Sequence, residues 1–432
     1  MCKTKKAINA ASPTSTPRSY KSHPNPKSPR PTTSSPTISS ISFRPSDQHT
    51  TSISDMLAPH APVSSPRSFA SATLRDTLPE NPHVYPFSEI CSATNNFTDK
   101  YCYSSSSTPS WRCTLRGRDV IVYQHKFRRQ IGTTQLQQRL SLICRSHHVS
   151  IIKLLGASIS DHHIHLVYDF VSGTKLADCL RNTNNPAFTV LSNWLSRMQI
   201  ATDVAHGLDY IHNRTGLKAR FSHNHINSSA IIVTEPSFNA KICHFGTAQL
   251  CGEIQEGEEI VEQSYFSRSP TRSIELKKWG SLRAKIEGVR GYMSPEYQTT
   301  GVANEKSDVY AFGVMMLELL SGEEPLSYKF DKKRGALMRS SVIETARAAV
   351  HGDCEGGGGT RKWLDWRLKD SFPIEVAEEA TRVALDCVDV DPAKRPDMIH
   401  VAGKISKFYL DSKIWSDGIK MPSDVSVSLA PR

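Results

Sequence analysis

The chain has 432 residues, 38% of them hydrophobic, and a formal net charge of +11, enough for one large or two medium globular domains. Residues 1–46 hold eight Lys or Arg and no Asp or Glu, which leaves three of the eleven net charges to everything after them. A basic tail on a nearly neutral body, with no RNA or DNA recognition signature, argues against nucleic acid as a partner.

Residues 1–83 are rich in Ser, Thr and Pro and poor in large apolar residues, so burial cannot offset the entropy of ordering them, and disorder is expected. Ser12-Pro13, Thr16-Pro17, Ser28-Pro29, Ser35-Pro36 and Ser65-Pro66 are candidate proline-directed phosphorylation sites. The first residues lack an apolar signal-peptide core, and Cys2 stands where N-myristoylation needs Gly. Three accounts of the tail stay open. One is a peripheral plasma-membrane tether, with Cys2 acylated and Lys3, Lys5 and Lys6 facing anionic lipid. The second is a chloroplast transit peptide, because the stretch is Ser-rich, basic and free of acids. The third is a plain cytoplasmic tail.

Order is expected to begin near Pro86. Residues 119–123 and 163–170 are rich in β-branched and aromatic types and predict strands. Residues 134–145 predict a helix. From Trp194 to His212 apolar residues recur at three- and four-residue steps, the pattern of a long amphipathic helix. Residues 305–321 predict another, apolar on most sides and therefore buried. Further helices are expected at 341–350, 374–388 and 397–410, and the run Gly356–Gly359 predicts a flexible loop. The ten cysteines form no C-x-x-C pair, as in a reduced intracellular protein. No apolar run reaches the roughly 18 residues a membrane-spanning helix needs. The expectation is an α+β protein: a tail over 1–83, a sheet-rich lobe over 84–170, a larger helical lobe over 171–412, and a second tail over 413–432.

Several ordered motifs carry a resemblance. Residues 87–97 (FSEICSATNNF) are similar to the lead-in of plant receptor-like kinase domains, and 145–156 (RSHHVSIIKLLG) to the segment after their C-helix. Residues 291–297 (GYMSPEY), 307–313 (SDVYAFG) and 391–396 (DPAKRP) resemble the later landmarks of the same domain. The match covers about 86–410 and implies the two-lobed protein-kinase fold. Within the plant receptor-like kinase (Pelle-type) family it resembles in particular the cytoplasmic part of LysM receptor-like kinases.

The resemblance fails where the chemistry sits. Phosphoryl transfer needs backbone donors over the phosphates, a Lys held by a Glu, metal-binding acids and a proton acceptor. The expected glycine-rich loop, 102–113, reads CYSSSSTPSWRC and contains no glycine. At the position of the phosphate-anchoring Lys stands Tyr123, with Ile121 intruding on the adenine side, and Arg139 replaces the C-helix Glu. The catalytic loop, 223–230, reads HNHINSSA: His225 takes the place of the Asp base, Asn227 that of the Lys, and Ala230 that of the metal-binding Asn. The Asp-Phe-Gly motif has become His244-Phe245-Gly246. Asn224 replaces the Arg that would bind an activating phosphate.

The resemblance assigns framework roles to His223, Phe245, Glu296, Asp308 and Arg395, all present, with Glu296 and Arg395 as the pair that locks the activation segment. The implied function is that of a pseudokinase, a catalytically inactive scaffold or regulator whose partner is a protein, an active receptor-like kinase, with weak or absent ATP and Mg²⁺ binding. The alternative is an atypical active Ser/Thr kinase in which Lys126 and His225 take new roles. The long segment between His244 and Glu296 carries the acidic stretch Glu253, Glu256, Glu258, Glu259, Glu262, readable as a solvated loop or as a docking element. His225, Cys243 and His244 would converge where kinases bind magnesium. Imidazole and thiolate suit zinc or copper better, against the plainer account of substitutions that hold no ligand, so no metal ligand is assigned.

Overall fold

The computed structural model describes residues 82–98, 100–101, 108–128, 131–182, 191–216, 221–234, 238–254, 288–331, 335–351 and 359–419. The tail with its Ser-Pro and Thr-Pro sites, Cys2 and its lysines, residues 102–107 of the glycine-free loop, Glu256–Glu262, Gly356–Gly358 and residues 420–432 lie outside them.

The smaller lobe is a five-stranded sheet. Its strands are β1 (His83–Val84), β2 (Ser110–Leu115), β3 (Arg118–Lys126), β4 (Leu154–Ser160) and β5 (His163–Asp169), in the order β1-β4-β5-β3-β2. All neighbours are antiparallel except β1 on β4. In β3, Val120, Ile121 and Val122 are all buried, as a strand covered on both faces requires. Helix α1 (Phe87–Ala93) packs Ile90 against the sheet, and α2 (Thr133–Cys144) buries Leu136, Leu140, Ile143 and Cys144 along one side. Order thus begins slightly before Pro86, because His83 and Val84 pair with Gly156 and Ala157.

The larger lobe is helical. After β6 (Gly173–Lys175) and α3 (Leu176–Arg181) comes α4 (Trp194–Asn213), opened by the Asn193 side chain accepting from the Leu195 N–H at 2.8 Å, the expected N-cap chemistry. The Trp194 indole donates to Ser412 Oγ at 2.8 Å. Arg197 is fully buried and donates to the Leu191 and Leu319 carbonyls and to Asp365 Oδ2, each at 2.6 Å. β7 (Ile231–Thr234) and β8 (Ala240–Ile242) join β6 in a small antiparallel sheet, followed by the short α5 (Thr247–Leu250) and α6 (Pro295–Thr300).

α7 (Glu305–Ser321) has the predicted limits. A capping box of Asn304 and Ser307 starts it, Gly322 at φ +72° ends it, and residues from Val314 to Leu317 are fully buried. β9 (Leu326–Asp331) and β10 (Ala336–Ser341) form a separate two-stranded ribbon. α8 (Val342–His351), α9 (Gly359–Trp363), α10 (Ile374–Cys387) and α11 (Met398–Ile419) complete the lobe.

Three expectations change. The last helix runs nine residues past 410, so the boundary set at 412 falls inside it: Phe408 and Ser412 are buried, and burial keeps the helix going. Gly359 opens a helix rather than closing a loop. The ribbon β9–β10 was not foreseen: LSYKFD alternates apolar and polar residues, but in ALMRSS Leu337 and Met338 stand side by side and the period is lost.

Candidate functional site

The loop from Phe221 to Ala230, between α4 and β7, is held from below by Asp308 in the first turn of α7. Its carboxylate accepts from the N–H groups of His223 (2.6 Å) and Asn224 (2.8 Å), from Ser222 Oγ (3.1 Å) and from His212 Nε2 (2.9 Å). Burial alone would raise this carboxyl, but the His212 hydrogen bond and its neighbours hold it below the usual range. His223 itself is buried, and burial takes its ring down to about 4.

Above this loop the replaced residues meet. The rings of Tyr123, from β3, and His244, after β8, lie 4.5 Å apart, edge to face. His125 and His225 each lie 6.1 Å from His244, and Tyr168 of β5 lies 5.9 Å from Tyr123. Burial drives His125 to about 3 and His244 well below its ordinary value, so these rings are neutral near pH 7. His244 adopts φ +63°, a conformation that costs a β-substituted residue energy and persists only where its surroundings impose it. Its Nδ1 is buried without a hydrogen-bond partner among the described residues. Phe245 is buried against Phe221, ring centroids 5.5 Å apart. Gly246 follows at φ +84°, where a Cβ would come within 2.6 Å of Ile143 on α2, so only glycine fits.

Glu253 departs from the solvated-loop reading. It sits under the cluster, its Oε2 3.0 Å from His225 Nε2 and 3.1 Å from Asn224 Nδ2. Burial would raise Glu253, yet His225 and Asn224 bring it down to about 2. Burial would likewise lower His225, yet Glu253 raises it. The two therefore form an ion pair at the position where the resemblance places the proton acceptor. A cleft of about 320 Å³ opens beside them, lined by His125, Asn224, Asn227, Val289 and Tyr292 among others.

Arg139 has a backbone partner on α5. From α2 it donates through Nη1 to the Gln249 carbonyl of α5 at 2.9 Å, while the Arg128 N–H donates to the Cys251 carbonyl at 2.8 Å. The Tyr168 hydroxyl donates to the Phe245 carbonyl at 2.9 Å and lies 3.0 Å from Thr247 Oγ1. The stretch after His244 is thus pinned from three sides. Lys126 is not brought in: it lies an odd number of residues from Tyr123, on the other face of β3, and is exposed. Asn227 caps the turn Ser228–Ala230, accepting from the Ser229 N–H at 2.9 Å and donating to the His225 carbonyl at 3.0 Å. Ala230 is buried, and its carbonyl accepts from Cys243 N–H at 2.8 Å. Cys243 is itself buried, and burial pushes its thiol up to about 12. No three His, Cys, Asp or Glu among the described residues are placed to share a metal ion.

The framework pair is present. Arg395 Nη1 and Nη2 reach Glu296 Oε1 and Oε2 at 2.7 and 2.8 Å, a bidentate fork. A second buried network was not foreseen: the Glu318 carboxylate of α7 takes hydrogen bonds from Ser228 Oγ (2.8 Å), Tyr292 and Arg181. A glutamate inside an otherwise apolar helix, LELLS, was the available signal, since such a charge is retained only when paired.

The model of the protein kinase domain matches residues 120–404. LysM domain receptor-like kinase 3 of Arabidopsis thaliana is 30% identical over 339 residues, 78% of this chain and 48% of that protein. Protein LYK5 of the same plant is 29% identical over 79% of this chain and 45% of its own length. The proline-rich receptor-like protein kinase PERK8, also of Arabidopsis thaliana, is 28% identical over 73% and 42%. The chain thus spans about half the length of the curated relatives it matches. The solved structure of the pseudokinase domain of BIR2, an immune regulator of the RLK/Pelle family, shares the fold with a TM-score of 0.53 and 21% identity, over 80% of this chain and 97% of that one. No helix among the described residues is long and apolar enough to cross a membrane. The chain belongs to the protein kinase domain family, as a kinase-like domain of the plant receptor-like kinase type.

Proposed function

We propose that this domain is a pseudokinase that works by binding, as a scaffold or regulator of an active receptor-like kinase. The observation that carries the reading is the packed Tyr123–His244 contact at 4.5 Å. It places a phenol against an imidazole where phosphoryl transfer needs an ammonium and a metal-binding carboxylate. Mg²⁺ takes oxygen ligands, and Ala230 and His244 offer none from their side chains. The carboxylate that is near, Glu253, is engaged by His225 and Asn224. ATP and Mg²⁺ binding is accordingly weak or absent, and Tyr123, Arg139, His225, Asn227, Ala230 and His244 act as packing groups. The intact Glu296–Arg395 fork and Asp308 anchor support a retained binding surface. The basic tail with Cys2, Lys3, Lys5 and Lys6 would bring it to an anionic membrane.

The test is an ATP–Mg²⁺ thermal-shift and phosphotransfer assay on the full chain. No shift and no transfer is the expected result. Clear nucleotide stabilisation with transfer, abolished by His225→Ala, would establish the atypical active kinase instead.

A further inference from the structure

The ribbon β9–β10 is a two-stranded sheet that pairs with no third strand among the described residues. Such a ribbon is marginal in water unless something covers a face. Its register sets Tyr328 opposite Arg339 and Phe330 opposite Leu337. Directly paired residues share a face, as do residues two apart along a strand, so Tyr328, Phe330, Leu337 and Arg339 lie together on one side. That side is open: Tyr328 is 57% exposed, Phe330 63% and Leu337 66%, and Arg339 is exposed as well. Met338, on the other face, is 41% exposed. Edge strands are ordinarily shielded from such exposure by charge, brevity or a covering element.

The stretch that holds the ribbon is rich in positive charge. Residues 326–341 contain five Lys or Arg and one Asp, a net +4, with Lys332, Lys333 and Arg334 lying outside the described residues. Residues 47–432 together carry only +3, so the rest of that sequence is close to neutral at −1. The ribbon is joined firmly to the helical lobe: the Val342 N–H, opening α8, donates to the Pro325 carbonyl at 3.1 Å, and Val342 is buried.

We infer that this ribbon is a membrane-docking element that lays its Tyr328–Phe330–Leu337 face into the interface of an anionic lipid surface. The chemistry is that of other interfacial elements. Aromatic and aliphatic side chains enter the boundary between headgroups and acyl chains, and the long basic side chains reach the negative headgroups, each adding to the attraction. A lipid surface offers a uniform negative potential beside an apolar layer and asks for no matching concavity. That suits a short, flat ribbon better than an acidic protein surface, which would have to supply both charge and an apolar seat in register. The contact is independent of the kinase-like site and additional to any attraction of the N-terminal tail.

Flotation of the full chain with vesicles tests this, using phosphatidylcholine alone or with about 30% phosphatidylserine, at low salt and at about 0.5 M salt, where charge attraction is largely screened. The wild-type chain binds the anionic vesicles and not the neutral ones. F330S/L337S, changing two exposed positions that the fold does not use, weakens binding at least about tenfold. K3Q/K5Q/K6Q weakens it at low salt only. Tyr328→Trp gains a fluorescence component quenched by brominated lipid.

Four outcomes overturn the inference. They are equal binding to both vesicle types, undiminished binding of F330S/L337S, no quenching of the added fluorescence when the Tyr328→Trp chain is bound to brominated vesicles, and no vesicle binding at all. In the last case, self-association or binding of polyglutamate that F330S/L337S abolishes would assign the face to a protein contact. Phosphotransfer is not part of this readout, so its outcome and the pseudokinase reading stand or fall separately.

Discussion

His225 Nε2 lies 3.0 Å from Glu253 Oε2, and Asn224 Nδ2 reaches the same oxygen at 3.1 Å. The segment that leaves the small sheet is thereby tied to the loop it passes over. Glu253→Gln keeps the shape and removes the charge. The His225 ring then titrates lower than in the wild type, because burial is opposed by Asp308 without the help of Glu253. Histidine titration by NMR reads this directly, and an unmoved His225 resonance would show that the pair is not formed in solution. The loss of stability is modest, about 1 kcal/mol, since the ring can simply give up its proton.

Acid sensitivity follows from the other histidines. His125 and His223 sit at about 3 and about 4, and His244 is also lowered, in each case chiefly by burial. A histidine lowered on folding contributes stability that is complete above about 6.5 and lost as the pH falls toward its folded value. His225, raised by Glu253, runs the other way: its contribution is complete below about 6.5 and disappears as the pH rises through its folded value. His147, His148 and His165 are lowered by burial as well, so the lowered histidines outnumber the one raised and the net effect is a fall in stability on acidification. The melting temperature drops by about 5 °C or more between about pH 7 and pH 4.5, and His125→Gln flattens that slope. A melting temperature unchanged over this range would contradict the buried, neutral rings.

Arg395→Met leaves Glu296 facing a buried thioether. Breaking a buried bidentate pair costs about 3–5 kcal/mol, roughly 6–10 °C for a domain of this size. Arg395→Lys recovers only part of it, because an ammonium cannot span both carboxylate oxygens. Thermal unfolding of the two variants, ranked against wild type, gives the answer.

Tyr168→Phe removes the hydroxyl that donates to the Phe245 carbonyl at 2.9 Å. The buried carbonyl loses a partner, which costs about 1–2 kcal/mol. Hydrogen exchange should quicken across residues 245–250 and stay unchanged on α7. Equal protection in both proteins would show that Arg139 and Arg128 hold the segment without Tyr168.

Restoring one catalytic residue does not restore a nucleotide site. Tyr123→Lys would set an ammonium beside His244, with Arg139 rather than a carboxylate on the facing helix. It lowers the melting temperature and gives no calorimetric signal with ATP–Mg²⁺. The combined Tyr123→Lys, Arg139→Glu, Ala230→Asn, His244→Asp chain is the form in which binding should first appear. Binding by the single variant would mean that the phosphate site is far less altered than its side chains suggest.

The helices were legible because burial leaves its period in the letters. Glu305–Ser321 was read to the residue, and Trp194–Asn213 to within one at its end. Asp308, Glu296 and Arg395 were legible as motif members, and their pairing is found in the structure. What was hidden depends on long-range geometry. Glu253 looked like one acid in a run of five, and nothing local says that it turns inward to His225. Arg139 could be read as a lost Glu but not as a new tie to Gln249. The ribbon was missed because only its first strand alternates; in the second, Met338 follows Leu337 and breaks the period.

The hydrogen bond from Trp194 to Ser412 joins residues 218 positions apart. During synthesis the first of these leaves the ribosome many seconds before the second, at about 5–20 residues per second. Through that interval α4 presents Trp194, Met198 and Ala201 with no α11 to cover them, so the helical lobe must be shielded or remain loosely collapsed. A stop codon placed shortly before residue 412 would leave a chain holding every motif discussed above and still unable to close its core, the kind of product that quality control removes before any partner meets it.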